Sequence, residues 1–147
     1  TVSFWFKMPN PVQHPYDMVF LTNHWQALNP ENILVVGLWG SATPSDEGKI
    51  YGHLRDSNNG VNTHITSSMR VDDGVWHHCA VIRNAGYLKI YVDGVSYAST
   101  AVTAAMNHVN PWIIGNSYYS SRGYTGYLEE FRISKGIVRW GSNFTVY

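Results

Sequence analysis

The stretch DGVWHHCAVIRNAGYLKIYVDGV, residues 73–95, decides the fold of this chain. Two runs in it, WHHCAVIR and YLKIYVDG, alternate between two kinds of side chain. Alternation with a period of two residues is the pattern of a β-strand whose two faces meet different surroundings. The residues RNAGY between the runs predict a hairpin turn, and Asp93-Gly94 predicts a second turn. The stretch therefore predicts antiparallel strands joined by tight turns.

The same alternation continues along most of the chain. It predicts strands at 1–8, 76–83, 87–94, 112–116 and 127–134, with weaker candidates at 18–22, 33–39, 49–54, 61–66 and 95–99. Turn signals recur at a spacing of about 8–12 residues, which is typical of an all-β sandwich. Residues 99–107, STAVTAAMN, are predicted to form a loop or a short turn. The sequence predicts a sandwich of two antiparallel sheets with one domain, because 147 residues suit a single core.

Alternation also predicts which side chains lie between the two sheets. In residues 76–83 we place Trp76, His78, Ala80 and Ile82 on one face and His77, Cys79, Val81 and Arg83 on the other. The predicted core is Phe4, Phe6, Trp76, Ala80, Ile82, Ile90, Val92, Ile113, Phe131 and Ile133.

Composition excludes several classes of function. The formal net charge is zero, so neither nucleic acid nor an anionic membrane surface is an expected partner. No apolar run approaches the roughly 18 residues that a membrane span needs. Cys79 is the only cysteine, which excludes an internal disulfide and argues against a cysteine-based zinc site. Aromatic residues make up 14% of the chain and charged residues also 14%, so recognition through aromatic and amide contacts is favoured.

Residues 73–95 resemble the laminin-G-like, concanavalin A-like jelly-roll domains, which carry a Trp-His-His run, a hairpin and a strand ending in Tyr-Val-Asp-Gly. The closing FRISKGIVRWGSNFTVY is most similar to versions in tail-fibre and other structural proteins of bacteriophages. The resemblance implies a jelly-roll domain over residues 1–147, in a virion or extracellular protein. Such domains usually have a strand before the one that matches residues 1–8. We therefore expect the domain to be excised from a longer protein and to lack that first strand.

The pair Glu129-Glu130 raises the question of catalysis. Neighbouring residues on a regular strand point to opposite faces, so the two carboxylates are not expected to flank one glycosidic bond. The Glu-x-Asp-x-x-Glu signature of related sandwich glucanases is absent from the sequence. We expect the domain not to be an enzyme.

The resemblance also implies a role for Glu129. This position in the family commonly carries an acidic residue that supports a loop or helps to bind calcium, which prefers several oxygen ligands. Glu129 is therefore a candidate calcium ligand. The structural alternative is a carboxylate bonded to backbone N–H groups, to Arg132 or to Arg139.

Three other features have predominantly structural interpretations. His77 and His78 should point in opposite directions and so should not share a metal ion. Trp76 and His78 are expected to pack in the core, with the ring N–H bonded to the backbone. In the closing stretch, Leu128, Phe131 and Ile133 should pack the last strand, and Ile137 with Trp140 should fix the following turn.

Function is expected in the loops, where sandwich scaffolds carry binding residues. Pyranose rings stack on Trp or Tyr, and their hydroxyls bond to amides and carboxylates. The alternative for each residue is an ordinary turn or core role. Three loops carry the candidate ligand-binding residues, which are Trp25, Asp56, Asn58, Asn116, Tyr118, Tyr119, Arg122 and Tyr124.

These observations favour a non-enzymatic, lectin-like module that binds cell-surface carbohydrate and works in multimeric display. The alternative is a structural decoration or assembly domain that contacts neighbouring virion subunits. Free aromatic side chains at the loop rim favour the first function, and an apolar patch buried by another subunit favours the second.

Overall fold

The chain folds into two antiparallel β-sheets packed face to face. The computed structural model describes residues 1–8, 15–23, 33–56, 60–103 and 111–147, apart from the side chain of Ser120. The strands are β1 (Val2–Lys7), β2 (Met18–Thr22), β3 (Ile33–Leu38), β4 (Lys49–Asp56), β5 (Val61–Arg70), β6 (Trp76–Asn84), β7 (Tyr87–Val92), β8 (Val95–Ala101), β9 (Ile113–Ile114) and β10 (Tyr127–Ile133). One turn of 3₁₀-helix, Ser120–Arg122, precedes β10.

The first sheet has the strand order β10-β1-β6-β7-β8, and the second has the order β5-β4-β3-β2-β9. The predicted all-β sandwich is confirmed, and every predicted strand is present. The predicted loop at 99–107 is wrong at its start, because β8 continues to Ala101 through pairing of Tyr87 with Ala101. The remainder, 104–107, lies outside the described residues.

The core between the sheets is rich in aromatic rings. Phe4 stacks on Phe131 with ring centroids 4.9 Å apart and lies 5.0 Å from Phe20, which also contacts Phe6 at 5.0 Å. Phe4, Phe6 and Phe20 are almost fully buried. The first sheet also contributes buried Cys79, Val81, Leu88, Ile90 and Val92 to this core.

The predicted inward face of β6 is wrong. Cys79 and Val81 point between the sheets, whereas Ala80 and Ile82 are buried on the opposite, outer face, beneath Trp140 and Phe144. Both faces of this part of β6 are apolar, so alternation alone did not distinguish them.

Other members of the predicted core are exposed. Trp76 is 38% exposed and Ile133 42%, so neither is a core residue, and Ile113 and Phe131 are half-buried. Ile137 is 56% exposed and does not fix the final turn with its side chain. Instead, the Ile137 carbonyl accepts a hydrogen bond from Thr1 Oγ1 at 2.9 Å.

Candidate functional site

The loop between β9 and β10 is fixed to the second sheet at both ends. The Gly115 N–H donates to the Phe20 carbonyl at 2.8 Å, and the Tyr124 N–H donates to the Gly115 carbonyl at 2.9 Å. Gly123 forms a parallel bridge with Val19. The loop is thus presented from an anchored base.

Tyr124 belongs to this base. Its hydroxyl donates to the Lys7 carbonyl at 2.9 Å, and its ring lies 4.7 Å from the ring of Phe20. Burial raises the pKa of the hydroxyl above its ordinary value. Tyr124 was predicted to bind ligand, but the structure gives it a packing role.

Two tyrosines and an arginine form an exposed surface on the loop, which we name the tyrosine ledge (Tyr118, Tyr119 and Arg122). Tyr118 is 50% exposed and Tyr119 44%, and their rings meet edge to face at 5.4 Å. The Arg122 guanidinium carbon lies 5.2 Å from the centroid of the Tyr119 ring, within the range of a cation–π contact. The structure therefore brings these three predicted site residues together.

Arg122 is held in place by a carboxylate from a distant part of the chain. Its Nη1 donates to Asp17 Oδ2 at 3.1 Å, and the Tyr51 hydroxyl donates to the same oxygen at 2.6 Å. Burial and the neighbouring Asp17 raise the pKa of Tyr51, so this hydroxyl remains a donor. The Arg122 side chain is still 40% exposed. A guanidinium has five donors in a planar fork, so Arg122 can also bond to an external group.

Hydrogen bonds within the loop shape the approach to the ledge. Asn116 Oδ1 accepts the Ser117 N–H at 2.8 Å. Ser117 Oγ accepts the Tyr119 N–H at 3.0 Å and donates to the Tyr119 carbonyl at 2.9 Å. The side-chain oxygen of Asn116, a predicted ligand residue, is thus bonded inside the loop.

The remaining predicted ligand residues do not join the ledge. Asp56 is fully buried at the end of β4, where it pairs with Val61, and this is the end of the second sheet opposite the β9–β10 loop. Trp25 and Asn58 lie outside the described residues.

The Trp-His-His run has a structural role that sequence reasoning missed. His77 Nδ1 lies 2.7 Å from Asp93 Oδ2, and His77 Nε2 lies 3.1 Å from Asp73 Oδ1. Asp93 Oδ1 also accepts the His78 N–H at 2.8 Å, and Asp93 adopts a positive φ of 49° at the tight turn before Gly94. The motif therefore ties the β7–β8 turn to β6.

Asp73 completes this cluster from the loop before β6. Burial alone would raise the pKa of Asp73, but the Val75 N–H and the proximity of His77 outweigh it and lower the pKa. The hydrogen bonds of this cluster account for these residue types at this spacing through its structural role.

The matching family model covers residues 1–139 and is that of the concanavalin A-like lectin/glucanases superfamily. The chain belongs to this superfamily. No curated protein sequence matches it. In the described part of the chain, no helix has the length and apolar character that a bilayer crossing requires.

Three solved structures show a similar fold. Domains LG4-5 of the mouse laminin α1 chain match with a TM-score of 0.66 and 13% identity, covering 89% of this chain and 34% of that one. A candidate carbohydrate-binding protein from Bacteroides ovatus matches with a TM-score of 0.63 and 13% identity, and the match covers 89% of this chain and 35% of that one. The CBM40 domain of a Ruminococcus gnavus sialidase, bound to α2,3 sialyllactose, matches with a TM-score of 0.63 and 11% identity. This match covers 88% of this chain and 71% of that one. The chain thus spans about a third of the first two proteins.

The superfamily includes glucanases, so the geometry of Glu129 and Glu130 is important. Glu130 has a positive φ of 49°, and the register of β10 against β1 shifts between Ser3 and Trp5. Leu128 and Phe131, which flank the pair, both pack against the core between the sheets. A β-bulge therefore interrupts the alternation here, and the assumption that Glu129 and Glu130 point to opposite faces is wrong.

Calcium binding by Glu129 stays a prediction. Glu129 is exposed and lies opposite Trp5 in the register with β1. Among the described residues, no group of three or more His, Cys, Asp and Glu side chains is placed to hold a metal ion. The described surroundings of Glu129 therefore supply no carboxylate-rich set of the kind that calcium prefers.

Proposed function

We propose that this domain is a non-enzymatic carbohydrate-binding module that recognises glycans on cell surfaces through the tyrosine ledge. The observation that carries the proposal is an exposed tyrosine pair beside an arginine that Asp17 and Tyr51 hold in place. Tyr rings can stack on the apolar face of a pyranose, while the guanidinium binds a hydroxyl or a carboxylate.

An acidic sugar suits this ledge best, because the Arg122 side chain is 40% exposed whereas its partner Asp17 is only 12% exposed, so the positive group is the one that faces a ligand. Arg122 lies beside Tyr119, and a carboxylate on a sugar would form a charge-assisted hydrogen bond with the guanidinium. Because Asp17 already orders the arginine, little side-chain entropy is lost on binding. The fold is compatible with such a ligand, since the sialidase CBM40 domain binds sialyllactose on the same architecture.

We further propose that the domain acts in several copies on a virion or another extracellular protein. One exposed ledge should bind weakly, because it offers only two aromatic rings and one cation. Several copies on a fibre would raise the effective affinity without any new contact.

The ledge is tested by multimeric display of the domain on arrays of sialylated and neutral glycans. We expect binding to acidic glycans, and Tyr119→Ala should weaken it about tenfold, which corresponds to about 1.4 kcal/mol. The matched control is Tyr87→Ala, since Tyr87 is 51% exposed on a different part of the surface. Arg122→Lys retains the charge but loses the fork, so it should weaken binding to acidic glycans more than to neutral ones. Equal binding by wild type, Tyr119→Ala and Arg122→Lys would refute the ledge.

The absence of catalysis requires its own test, because the bulge removes the opposite-face argument. We expect no release of reducing ends from β-glucans by the purified domain. Release above a blank that is abolished by Glu129→Gln or Glu130→Gln would show that the domain is an enzyme. Calcium is tested on the same protein, since a chelator should lower the melting temperature only if the native state holds the ion.

A second function, assembly with neighbouring subunits, is supported by an apolar crevice at the end of the sandwich opposite the ledge. The crevice has a volume of about 340 Å³, and its lining includes Val2, Leu34, Leu54, Val81, Leu88 and Trp112. Exposed Ile133 also lines it. Concentration-dependent self-association that Ile133→Ser abolishes would favour this function.

A further inference from the structure

The outer face of the first sheet carries a band of aromatic side chains. Trp76 and Tyr127 both pair with Lys7, from the two strands that flank β1, and their rings are 6.2 Å apart. Trp76 is 38% exposed and Tyr127 58%. Trp5 lies two residues before Lys7 on β1 and pairs with His78. The two rings meet edge to face at 5.4 Å.

Beside Trp5 opens a cavity of about 280 Å³, which we name the outer pocket. It is lined by Ser3, Trp5, His78, Glu130, Arg132, Trp140, Phe144 and residues 145–147. Trp140 and Phe144 stack on each other at 4.1 Å with an angle of 10° between their rings. Both meet the His78 ring edge to face, at 5.6 and 5.8 Å. The pocket thus has aromatic walls on two sides and a buried imidazole between them.

The imidazole has an unused hydrogen-bonding group. His78 is 6% exposed, and its buried Nδ1 has no hydrogen-bond partner among the described residues. Burial lowers the pKa of His78, against the opposing charges of Asp93 and Glu130. The neutral ring therefore has one N–H donor and one bare acceptor nitrogen, and a buried polar group of this kind usually has a partner.

Two opposite charges line the same pocket. Glu130 and Arg132 are both exposed, and no ion pair of either side chain is found within the described residues. Glu130 adopts the left-handed backbone conformation, φ 49°, that non-glycine residues rarely use. Such strain is commonly found at functional sites, and a bulge re-aims the side chain that it displaces. Here the bulge directs Glu130 to the pocket that Arg132 also lines.

We propose that the outer pocket binds a neutral hexopyranose at the end of a glycan, and that the next sugar stacks on Trp76 and Tyr127. A polyol fits a neighbouring carboxylate and guanidinium, because its hydroxyls donate to the first and accept from the second. A ligand with one net charge would be attracted by one group and repelled by the other. The aromatic walls suit the apolar face of the ring.

This proposal rests on the carbohydrate-binding function but not on the tyrosine ledge. The ledge is held by residues of the second sheet, whereas the outer pocket lies on the outer face of the first sheet. The two sites therefore predict different ligands, acidic for the ledge and neutral for the outer pocket, and they can be inactivated separately.

The test is a titration of the ¹⁵N-labelled domain with the methyl glycosides of glucose, galactose and mannose, and then with neutral trisaccharides. The chain has six tryptophans, and their indole N–H signals report on separate places. We expect the signals of Trp5 and Trp140 to shift with at least one monosaccharide, and that of Trp76 to shift in addition with a trisaccharide. Trp39 is the internal reference, because its Nε1 donates to Thr66 on the second sheet at 3.1 Å.

Variants at the bulge make the test specific. Glu130→Gln should weaken the response about fivefold or more, since the charged acceptor is lost. Glu129→Gln is the matched control, because it is the neighbouring glutamate and does not line the pocket. Glu130→Gly should abolish the response while raising the unfolding midpoint, because glycine adopts positive φ without strain. A fall in the midpoint would indicate that Glu130 is there for structure, which contradicts the proposal.

The remaining outcomes separate this proposal from the first. A response that survives Tyr119→Ala and Arg122→Lys but not Glu130→Gln supports the outer pocket. If neutral sugars leave the indole signals of Trp5 and Trp140 unshifted while acidic glycans still bind at the ledge, the proposal for the outer pocket alone is overturned. Absence of any glycan response at either site overturns both. Self-association that Trp76→Ala abolishes would assign the aromatic band to contact between copies and also overturn the proposal.

Discussion

The outer faces of the two sheets are built differently. On the first sheet, Ala80, Ile82 and Tyr91 are buried beneath Trp140 and Phe144 of the segment after β10. On the second sheet, His53 and His64 stack on each other at 3.9 Å, and His53 Nε2 lies 2.6 Å from Asn62 Oδ1. The first face thus has a small core of its own, whereas the second combines these polar contacts with one aromatic pair, Tyr51 and Trp39, whose ring centroids are 4.4 Å apart. Burial beneath Trp140 and Phe144 should therefore contribute more to stability than the exposed stack of His53 and His64 does.

The first prediction sets the scale for this comparison. Phe4→Ala should lower the free energy of unfolding by about 3–5 kcal/mol, because the substitution removes a fully buried ring that stacks on Phe131 and leaves a cavity in its place. Urea denaturation measures the change. A loss below about 1 kcal/mol would show that the core between the sheets collapses into the space.

The second prediction concerns the small outer core. Phe144→Ala should cost about 2 kcal/mol, less than Phe4→Ala, because Phe144 is only half-buried. Hydrogen exchange should increase at the Phe144 N–H, which donates to the Gly94 carbonyl at 2.9 Å. A loss as large as that of Phe4→Ala would make the outer face an equal part of the core.

The third prediction uses pH to probe the same face. Burial lowers the pKa of His78 in the folded protein, so the unfolded chain binds more protons near its ordinary value of 6.5. The stability that neutral His78 provides is therefore complete above that value and declines as the pH falls below it. His78→Gln should weaken this decline between pH 6.5 and about 5, above the range where most carboxylates titrate. Parallel curves of unfolding free energy against pH for both proteins would contradict the assignment.

Sequence reasoning succeeded where the information is local. Alternation and the turn residues at Asp93-Gly94 are sufficient to predict the strands and their antiparallel direction, but not the order of the strands within each sheet. It failed at β6 because Ala80 and Val81 are both apolar, so the covering Trp140 could not be inferred from the strand alone. The bulge was missed because Glu130 carries no glycine-like signal.

The candidate site shows the same limit. The loop that carries the ledge was predicted from its aromatic and amide content and its position between two strands. The sequence does not distinguish Tyr124 from Tyr118 as a ligand-binding residue. Only the contacts of Tyr124 with the Lys7 carbonyl and the Phe20 ring give it a packing role. Asp17 and Arg122 are 105 positions apart, so the ion pair depends on the folded topology.

The last and smallest expected effect is on the outer face of the second sheet. His64→Ala removes an exposed ring that stacks on His53 across β4 and β5, and cross-strand pairs contribute about 0.2–1 kcal/mol. We expect a loss of about 0.5 kcal/mol in urea denaturation, well below that of Phe144→Ala. The comparison is matched, since each change truncates a ring on the outer face of one sheet. A loss above about 2 kcal/mol would mean that polar pairing stabilises the second face as strongly as aromatic covering stabilises the first.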